Sequence, residues 1–309
     1  MTSLLDARSD ALAYYSPYYF LRHLPTALQQ QLFGTGAASR WEEQPGGEIM
    51  RTASKVCWLV QQAAWDAEYF AAPVYRLFTG LFADATPTEL VQAAAALRPL
   101  LAARHPRFYI FGMVPAEDVQ LLQALTGAGW RLVETRLTYY HDQLAAFDYP
   151  RFPVRLAAPA EARLLGSIAA AARNPYDRVH ADPWFGPAQA DAYLARYAEN
   201  TVTGQLAAAV LVPAAEDLPV DSFLAISDLT DDATALGTSL SRVLLTAVGP
   251  ANRGWHVKLV AETMHRARQL GHEAVLMTTQ ATNHAVQRTC EKLGWRLGAT
   301  NHVLACSND

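Results

Sequence analysis

The stretch VGPANRGWHVK, residues 248–258, predicts the fold of its half of the chain. It follows an apolar run, residues 243–247, that is typical of a buried strand, and it precedes residues 259–270, where apolar side chains recur every three or four positions as in a helix. The first amides of a helix have no partner within the helix and lie at the positive end of its dipole. A turn between strand and helix is therefore typical of a phosphate site, to which Arg253 and Lys258 would add charge.

Composition limits the classes of function. The chain has 309 residues, of which 51% are hydrophobic and 17% charged, enough for two ordinary domains. The formal net charge of −4 gives no support for nucleic-acid binding. No apolar run approaches the roughly 20 residues that cross a bilayer, and the first residues lack the pattern of a signal peptide. We expect a cytoplasmic protein without a membrane partner.

Cysteine usage argues against two kinds of site. The chain has three cysteines, Cys57, Cys290 and Cys306, and no Cys-x-x-Cys pair. This number and spacing fit neither a disulfide framework nor a zinc site. We expect reduced thiols and no metal ion.

A short motif occurs twice in the chain. Residues 129–132, Gly-Trp-Arg-Leu, recur 165 positions later as residues 294–297. The same shift places the strand-like residues 109–111 on residues 274–276, and one predicted helix on another. Repetition of strand, helix, motif and strand indicates two copies of one fold.

The two copies differ at the turn before the long helix. In the first copy this turn is not basic, and the helix is predicted to begin at Thr86, with Pro87 at the first position and Glu89 completing a capping box, and to run to about Arg104. We therefore predict that the first copy has lost its cofactor site. The predicted domains are an N-terminal extension (1–50), a degenerate domain (51–150) and a complete domain (151–309), with residues 147–153 as the linker.

Two segments complete the expected organisation. The extension is aromatic-rich at residues 14–21, and we interpret it as packing on the domain behind it. A lid or an oligomer contact is the alternative, which leaves a homodimer open. In the second half, turn residues separate the expected strands: strands at 154–156, 205–212, 222–226, 240–248 and 273–280, and turns at 213–219 and Asp231-Asp232.

The C-terminal half resembles the GNAT superfamily of acyl-CoA-dependent N-acyltransferases. The family pattern is V-x-P-x-x-R-G-x-G-x-G/A between a strand and a helix, then a strand, N-x-x-A-x-x-x-Y and Leu-Gly-Phe. The matching residues are Val248, Pro250, Arg253, Gly254, Asn283, Leu293 and Gly294. The departures are His256 and Lys258 at the two loop glycines, Val286 for the Ala, Cys290 for the Tyr and Trp295 for the Phe.

The resemblance implies an α/β fold of tandem GNAT-like domains, with a mixed, mostly antiparallel twisted sheet flanked by helices. It implies an N-acetyltransferase that uses acetyl-CoA as co-substrate and a small-molecule amine as acceptor. In the family the last strand before the loop binds pantetheine through its backbone. The residues implied to bind the cofactor are Leu245, Thr246, Ala247, Val248, Arg253, Gly254, Trp255, His256, Val257, Lys258 and Asn283.

The two altered loop positions leave two interpretations open. Glycines there let the backbone approach a diphosphate, so the side chains of His256 and Lys258 could close the site. The amides remain, however, and Lys258 could add charge, so retained acyl-CoA binding is the prediction. Asn283 fits equally a helix N-cap or a cofactor contact.

Residues 174–185, NPYDRVHADPWF, are predicted to form an irregular loop that lines the acceptor pocket. Together with the aromatic and acidic cluster at residues 65–70, this loop resembles the TDP-fucosamine acetyltransferase family of sugar-nucleotide N-acetyltransferases. That likeness implies a nucleotide-linked amino sugar as acceptor. An amino acid, a peptide or an amine antibiotic is the alternative acceptor, and a non-catalytic acyl-CoA-binding or nucleotide-sugar-binding protein is the alternative function. The candidate substrate residues are Tyr176, Arg178, Trp184 and Phe185.

Acyl transfer to an amine needs the amine in its neutral form. The candidate bases are His180, Asp182 and Asp228, with His180 favoured because histidine titrates near neutral pH. Alternatively, His180 and Asp182 only hold the loop together. Cys290 is a candidate proton donor to the leaving thiolate, or a small core residue.

Overall fold

A computed structural model of the chain describes residues 1–52, 56–204 and 206–308. The chain divides into two compact units: unit 1 comprises Met1–Arg136 with Ala299–Asp309, and unit 2 comprises Leu137–Gly298. These units are defined by compactness, whereas the predicted boundaries near residues 50 and 150 concern a sequence repeat. That repeat-based division stays a prediction.

Unit 1 is built on strands in the order β1-β2-β3-β4-β11. The β3–β4 pair is parallel, and β1–β2, β2–β3 and β4–β11 are antiparallel. Its elements are α1 (Thr2–Leu12), α2 (Thr26–Phe33), α3 (Thr35–Ser39), β1 (Gly47–Arg51), β2 (Cys57–Gln62), α4 (Ala64–Phe70), β3 (Val74–Leu81), α5 (Pro87–Ala95), α6 (Leu97–Ala102), β4 (Phe108–Pro115), α7 (Val119–Gly127), the first part of β5 (Arg131–His141) and most of the strand that ends the chain, β11 (Arg296–Asn308).

The start of α5 follows from its first residues. Thr86 accepts a hydrogen bond from the Glu89 amide at 3.3 Å, and Glu89 accepts one from the Thr86 amide at 2.7 Å. The predicted capping box is therefore confirmed. The predicted continuous helix to Arg104 is wrong: the helix is interrupted at Ala96, because Pro99 has no amide to continue the ladder.

The N-terminal segment belongs to the core of unit 1. Leu12 is fully buried and packs with Leu59 of β2, Leu81 of β3 and Trp41. Apolar burial of this size contributes about 1.5–3 kcal/mol per large side chain. The segment before β1 is therefore packed against the strands of unit 1, and residues 47–50 of the predicted extension belong to β1 itself.

Unit 2 has the strand order β5-β10-β9-β8-β7-β6. The β9–β10 pair is parallel, and β6–β7, β7–β8 and β8–β9 are antiparallel. Its further elements are β6 (Val154–Leu156), α8 (Ala162–Ala171), α9 (Arg178–Ala181), α10 (Pro187–Val202), β7 (Ala209–Pro213), β8 (Ser222–Ser227), α11 (Thr230–Leu236), β9 (Leu240–Val248), α12 (Trp255–Gln269), β10 (Ala274–Gln280) and α13 (His284–Lys292).

Both faces of the unit 2 sheet are covered. Successive residues of a strand point to opposite faces. On β8, Leu224 packs in the core that contains α12, whereas Phe223 packs in the core that contains α8 and α10. The predicted class, an α/β protein with a mixed, mostly antiparallel sheet flanked by helices, is confirmed.

Three local expectations differ from the structure. Asp231 and Asp232 lie in the first turn of α11 and not in a loop, because acidic side chains stabilise the positive end of a helix. Residues 174–185 are not wholly irregular, because Asp177 caps the one-turn helix α9. The strand predicted from Gln205 begins at Ala209 in the described residues, and Gln205 itself lies outside them.

Within the described ranges, no helix is both long enough and apolar enough to span a bilayer.

Removal of the α5 cap will destabilise unit 1. Thr86→Ala loses the side-chain oxygen that accepts from Glu89, and we expect the free energy of unfolding to fall by about 1 kcal/mol in urea titrations. Thr88→Ala is the matched control, because Thr88 is exposed in the same turn and is not the cap. Equal losses in the two variants would contradict the capping box.

Candidate functional site

Strand β9 separates from β10 after four residue pairs. The parallel pairing runs from Leu240 with Ala274 to Val243 with Met277, whereas pairing with β8 continues to Val248. Among the described strands, residues 244–248 have no partner on the β10 side.

A β-bulge accompanies this separation. Ala225 pairs with Leu245 and Ile226 pairs with Val243, so Leu244 is an extra residue in β9. A bulge bends its strand and increases the local twist. The bulge therefore explains why β9 turns away from β10 at this point.

The separated part of β9 offers backbone groups to a ligand. The strand predicted at residues 243–247 is present; Val243 and Ala247 are buried as expected, whereas Leu244, Leu245 and Thr246 are only half-buried. An unpaired strand edge presents N–H and C=O groups that need partners. An extended molecule with amide groups can bind this edge as an added strand would.

The turn after β9 leads directly into the amides of α12. Residues Pro250–Asn252 form one turn of 3₁₀ helix, and Gly254 has φ +88°, a left-handed conformation that strongly favours glycine. Within the described chain, no side chain caps the first turn of α12. The first amides of this helix are therefore available to an anion.

A pocket of about 490 Å³ lies at this turn. One wall comes from the end of β9 and the start of α12, and the other from α13. Its lining residues are Val248, Gly249, Pro250, Arg253, Gly254, His256, Val257, Ala285 and Thr289.

His256 is turned toward α13. Its Nδ1 lies 2.8 Å from Thr289 Oγ1, and that hydroxyl donates to the Ala285 carbonyl at 3.2 Å. Because the single hydroxyl proton is used there, Nδ1–H is the donor in the first bond. Burial, which disfavours the imidazolium, lowers the pKa of His256 to about 4. The ring is therefore a neutral wall of the pocket near pH 7.

Lys258 does not line the pocket. Its ammonium lies 4.5 Å from the ring centre of Trp255 and 5.3 Å from that of Phe152, within cation–π range. Trp255 itself is buried in the core under α12. Of the two cations predicted at the turn, only Arg253 lines the pocket, where it is exposed.

Asp221, which the sequence analysis missed, holds the turn in place. Its Oδ2 accepts from the Ala251 amide at 2.8 Å, and its backbone carbonyl accepts from Gly249 at 2.6 Å. A Cβ at Gly249 would lie only 2.1 Å from Asp221 Oδ1, so a larger residue there would displace the Asp221 carboxylate that binds the turn. The buried Asn252 adds bonds to the Pro219 carbonyl and to Ser222.

The favoured base, His180, is clamped between two carboxylates. Its Nδ1 lies 2.7 Å from Asp177 Oδ2, and its Nε2 lies 3.2 Å from Asp191 Oδ1. Its side chain is only 5% exposed, and Asp191 also pairs with Arg173. This geometry holds α9 against α10 and occupies both ring nitrogens.

Most of the predicted acceptor residues are buried. Arg178 lies 5.6 Å from the Phe185 ring, Trp184 packs edge-on against Phe185, and Asp182 accepts from the Trp184 amide at 3.1 Å. Tyr176, by contrast, is 57% exposed.

The segment that carries Tyr176 is tied to the end of β10. Asn174 donates to the Gln280 side chain at 2.9 Å and accepts from the Tyr176 amide at 3.0 Å. Tyr176 is therefore the one predicted acceptor residue that the structure leaves largely open to solvent.

Cys290 and Asp228, two candidate catalytic residues, lie in different surroundings. Cys290 is fully buried in the core under α12, and burial raises the pKa of its thiol to about 12. Partial burial would raise the pKa of Asp228, but hydrogen bonds and charge from Arg266 outweigh it and lower the pKa. Asp228 also accepts from Ser241 at 3.2 Å.

Two pocket residues on α13 were not predicted. Ala285 and Thr289 are four positions apart and so share one face of the helix. Asn283 caps this helix by accepting from the Val286 amide, as one of its two interpretations expected. In the sequence, the two pocket residues could be located only by their position after the Asn283 cap. Small residues after a helix cap do not by themselves indicate a pocket.

Comparison with known proteins identifies the fold. No protein-family model matches the sequence, and a search of curated proteins gives no match. Among solved structures, a functionally unknown conserved protein from Staphylococcus epidermidis ATCC 12228 matches with a TM-score of 0.56 at 12% identity, over 87% of this chain and 98% of that one. GCN5-related N-acetyltransferases from Sphaerobacter thermophilus and Kribbella flavida match with TM-scores of 0.54 and 0.51 at 11% and 15% identity.

The fold is that of the GCN5-related N-acetyltransferases. The Sphaerobacter match covers 98% of this chain and 91% of that one, and the Kribbella match covers 87% and 93%. These matches confirm the predicted fold. Sugar-nucleotide specificity and the loss of a cofactor site from the first half stay predictions.

The neutral His256 makes stability depend on pH. The folded chain holds this pKa near 4, against an ordinary 6.5, so between these values only the unfolded chain binds the proton. The folded state therefore loses stability as pH falls through this window, by up to about 1.4 kcal/mol per pH unit. We expect His256→Asn to flatten the dependence of the unfolding free energy on pH between 4.5 and 6.5.

His284→Asn is the control, because His284 is exposed at the start of α13. Its pH dependence should match that of the unaltered protein. An unchanged slope in His256→Asn would show that His256 titrates normally in the fold.

Proposed function

We propose that this protein is an N-acyltransferase that transfers an acetyl group from acetyl-CoA to a primary amine at unit 2. The observation that carries the proposal is the open edge of β9 at residues 244–248, which ends at the pocket beside the uncapped start of α12. An extended amide-containing arm with a phosphate end group fits this combination.

Different residues of unit 2 would bind different parts of acetyl-CoA. The backbone of residues 245–248 would pair with the pantetheine amides, and the first amides of α12 together with Arg253 would hold the diphosphate. His256 and Val257 would form the wall beside the pantetheine arm.

The reaction itself needs little from side chains. The amine nitrogen attacks the thioester carbonyl, the C–S bond breaks, and CoA leaves as thiolate while the amine loses one proton to solvent. Holding the two reactants together can contribute about 7–11 kcal/mol. A backbone amide of β9 directed at the carbonyl oxygen would contribute about 3–4 kcal/mol.

No protein acid is required for the leaving group. A thiol with an ordinary pKa near 8.5 departs as thiolate at a cost of roughly 2 kcal/mol at pH 7. This fits the burial of Cys290 in the core. We therefore assign Cys290 to packing in this proposal.

The acceptor amine would enter in its neutral form. His180 has both nitrogens on carboxylates, Asp182 accepts from the Trp184 amide, and Asp228 is paired with Arg266. We therefore propose that these three residues hold the local protein structure in place, and that the proton passes from the amine to water.

The acceptor class rests on sequence likeness. An amino sugar, free or carried on a nucleotide, is the acceptor that we propose, and the exposed ring of Tyr176 is a group on which a sugar could stack. An amino acid, a peptide or an amine antibiotic remains the second candidate acceptor. The burial of Arg178, Trp184 and Phe185 leaves fewer groups to recognise a nucleotide than the sequence suggested.

Charge reversal at the turn will weaken donor binding. Arg253→Glu places a carboxylate at the pocket wall, and we expect the dissociation constant for acetyl-CoA to rise about ten-fold to a hundred-fold in calorimetric titrations. Arg163→Glu on α8 is the control, since Arg163 is exposed and is not a pocket residue.

An assay of acetyl-CoA consumption distinguishes an enzyme from a non-catalytic binding protein. We expect acetyl-CoA consumption with at least one member of a panel of amino sugars, nucleotide sugars, amino acids and amine antibiotics. Tight acetyl-CoA binding without consumption on any member would favour a non-catalytic acyl-CoA-binding protein. Absence of binding at millimolar acetyl-CoA would refute the proposal.

Loss of His180 will affect stability more than chemistry. His180→Gln keeps hydrogen-bonding groups between Asp177 and Asp191 but cannot act as a base. We expect a lower melting temperature and an unchanged shape of the profile of kcat/KM against pH. Disappearance of an ionisation from that profile would restore His180 as the base.

A further inference from the structure

Unit 1 repeats the strand separation of unit 2. Strands β3 and β4 pair in parallel from Val74 with Tyr109 to Leu77 with Gly112, four residue pairs as in unit 2. A bulge again follows: Leu59 pairs with Thr79 and Val60 with Leu77.

The extra residue of this bulge is Phe78, which matches Leu244 in unit 2. Counting onward from the bulge, Gly80 of unit 1 matches Thr246, one of the residues proposed to bind pantetheine. Unit 1 therefore has the same fork between two strands.

In unit 1, side chains of the N-terminal segment bridge this fork. Arg8 donates from Nε to the Gly80 carbonyl at 3.2 Å on one arm and forms an ion pair with Asp118, just beyond the end of β4, on the other. Tyr15 donates to Asp118 at 2.7 Å and accepts from Thr79 at 3.0 Å. Both side chains thus join the two arms.

The position of Asp118 strengthens the comparison. Asp118 caps α7 through the Leu121 amide, as Asn283 caps α13 through the Val286 amide, 165 positions later. In unit 2 the matching position carries a residue predicted to contact the cofactor. In unit 1 it carries a carboxylate that binds Arg8.

The helix after β3 also lacks an anion site. Thr86 accepts from the Glu89 amide in the first turn of α5, and the Glu89 side chain brings negative charge to the place where α12 has an uncapped start. A diphosphate would have to displace both the cap and the charge.

We propose that residues 1–20 occupy, in unit 1, the cleft that corresponds to the donor site of unit 2, so that each chain holds one acyl-CoA molecule. Arg8 takes hydrogen-bonding positions on the fork that a ligand would otherwise use, and it is 4% exposed with Phe82 under its guanidinium at 4.3 Å. The count of one acyl-CoA molecule per chain rests on the proposed function of unit 2. The closure of the cleft in unit 1 does not depend on that function.

Stoichiometry tests the count of donor sites. Calorimetric titration of the full chain with acetyl-CoA should give one site per chain. Ala285→Trp, which fills the unit 2 pocket from an exposed position, should abolish binding. Gln120→Trp, the exposed residue at the matching position of α7, should leave binding unchanged. Two sites per chain, or a single site lost only in Gln120→Trp, would overturn the inference.

Hydrogen exchange tests the closure even if no donor binds. Arg8→Met removes both contacts across the fork, and exchange of the amides at residues 78–81 should become about ten-fold faster or more, with residues 245–248 unaffected. Tyr15→Phe should give a smaller change at the same amides.

Failure of the proposed function alone would appear as no acetyl-CoA binding together with this acceleration at residues 78–81. Unchanged exchange at residues 78–81 in Arg8→Met would overturn the closure of unit 1. Slower exchange there on addition of acetyl-CoA would overturn it as well, because the ligand would then occupy that fork.

Discussion

A single extra residue in β9 sets the geometry on which the site of unit 2 depends. Without the bulge at Leu244, a right-twisted parallel pair would continue to share hydrogen bonds along its length. The bulge ends that sharing after Val243, while β8 still supports β9 on its other edge. The free edge is therefore polar and held by β8 on its other side, and it leads to the start of α12.

The turn beyond that edge relies more on backbone than on charged side chains. Lys258 is held on two aromatic rings and His256 is neutral, so Arg253 is the cation among the pocket residues. Asp221 fixes the turn by accepting from Ala251, which orders the loop before any ligand arrives. An ordered turn loses less entropy on binding than a flexible one.

Sequence patterns predicted the elements better than the surroundings of single residues. The turn between β9 and α12, the cap at Thr86 and the helix start at Asn283 follow local rules, and local rules are visible in sequence. The helix after that turn begins at Trp255 and not at the predicted Leu259. The clamp on His180 is instead a tertiary arrangement, since it needs Asp191 from another helix. The diversion of Lys258 to Phe152 is likewise invisible in a linear pattern.

The most direct measurement is a crystal structure of the protein with acetyl-CoA bound. We expect pantetheine amides paired with the backbone of residues 245–248 and diphosphate oxygens on the first amides of α12. A donor bound elsewhere, or an edge of β9 left bare at saturating acetyl-CoA, would contradict the proposed donor site.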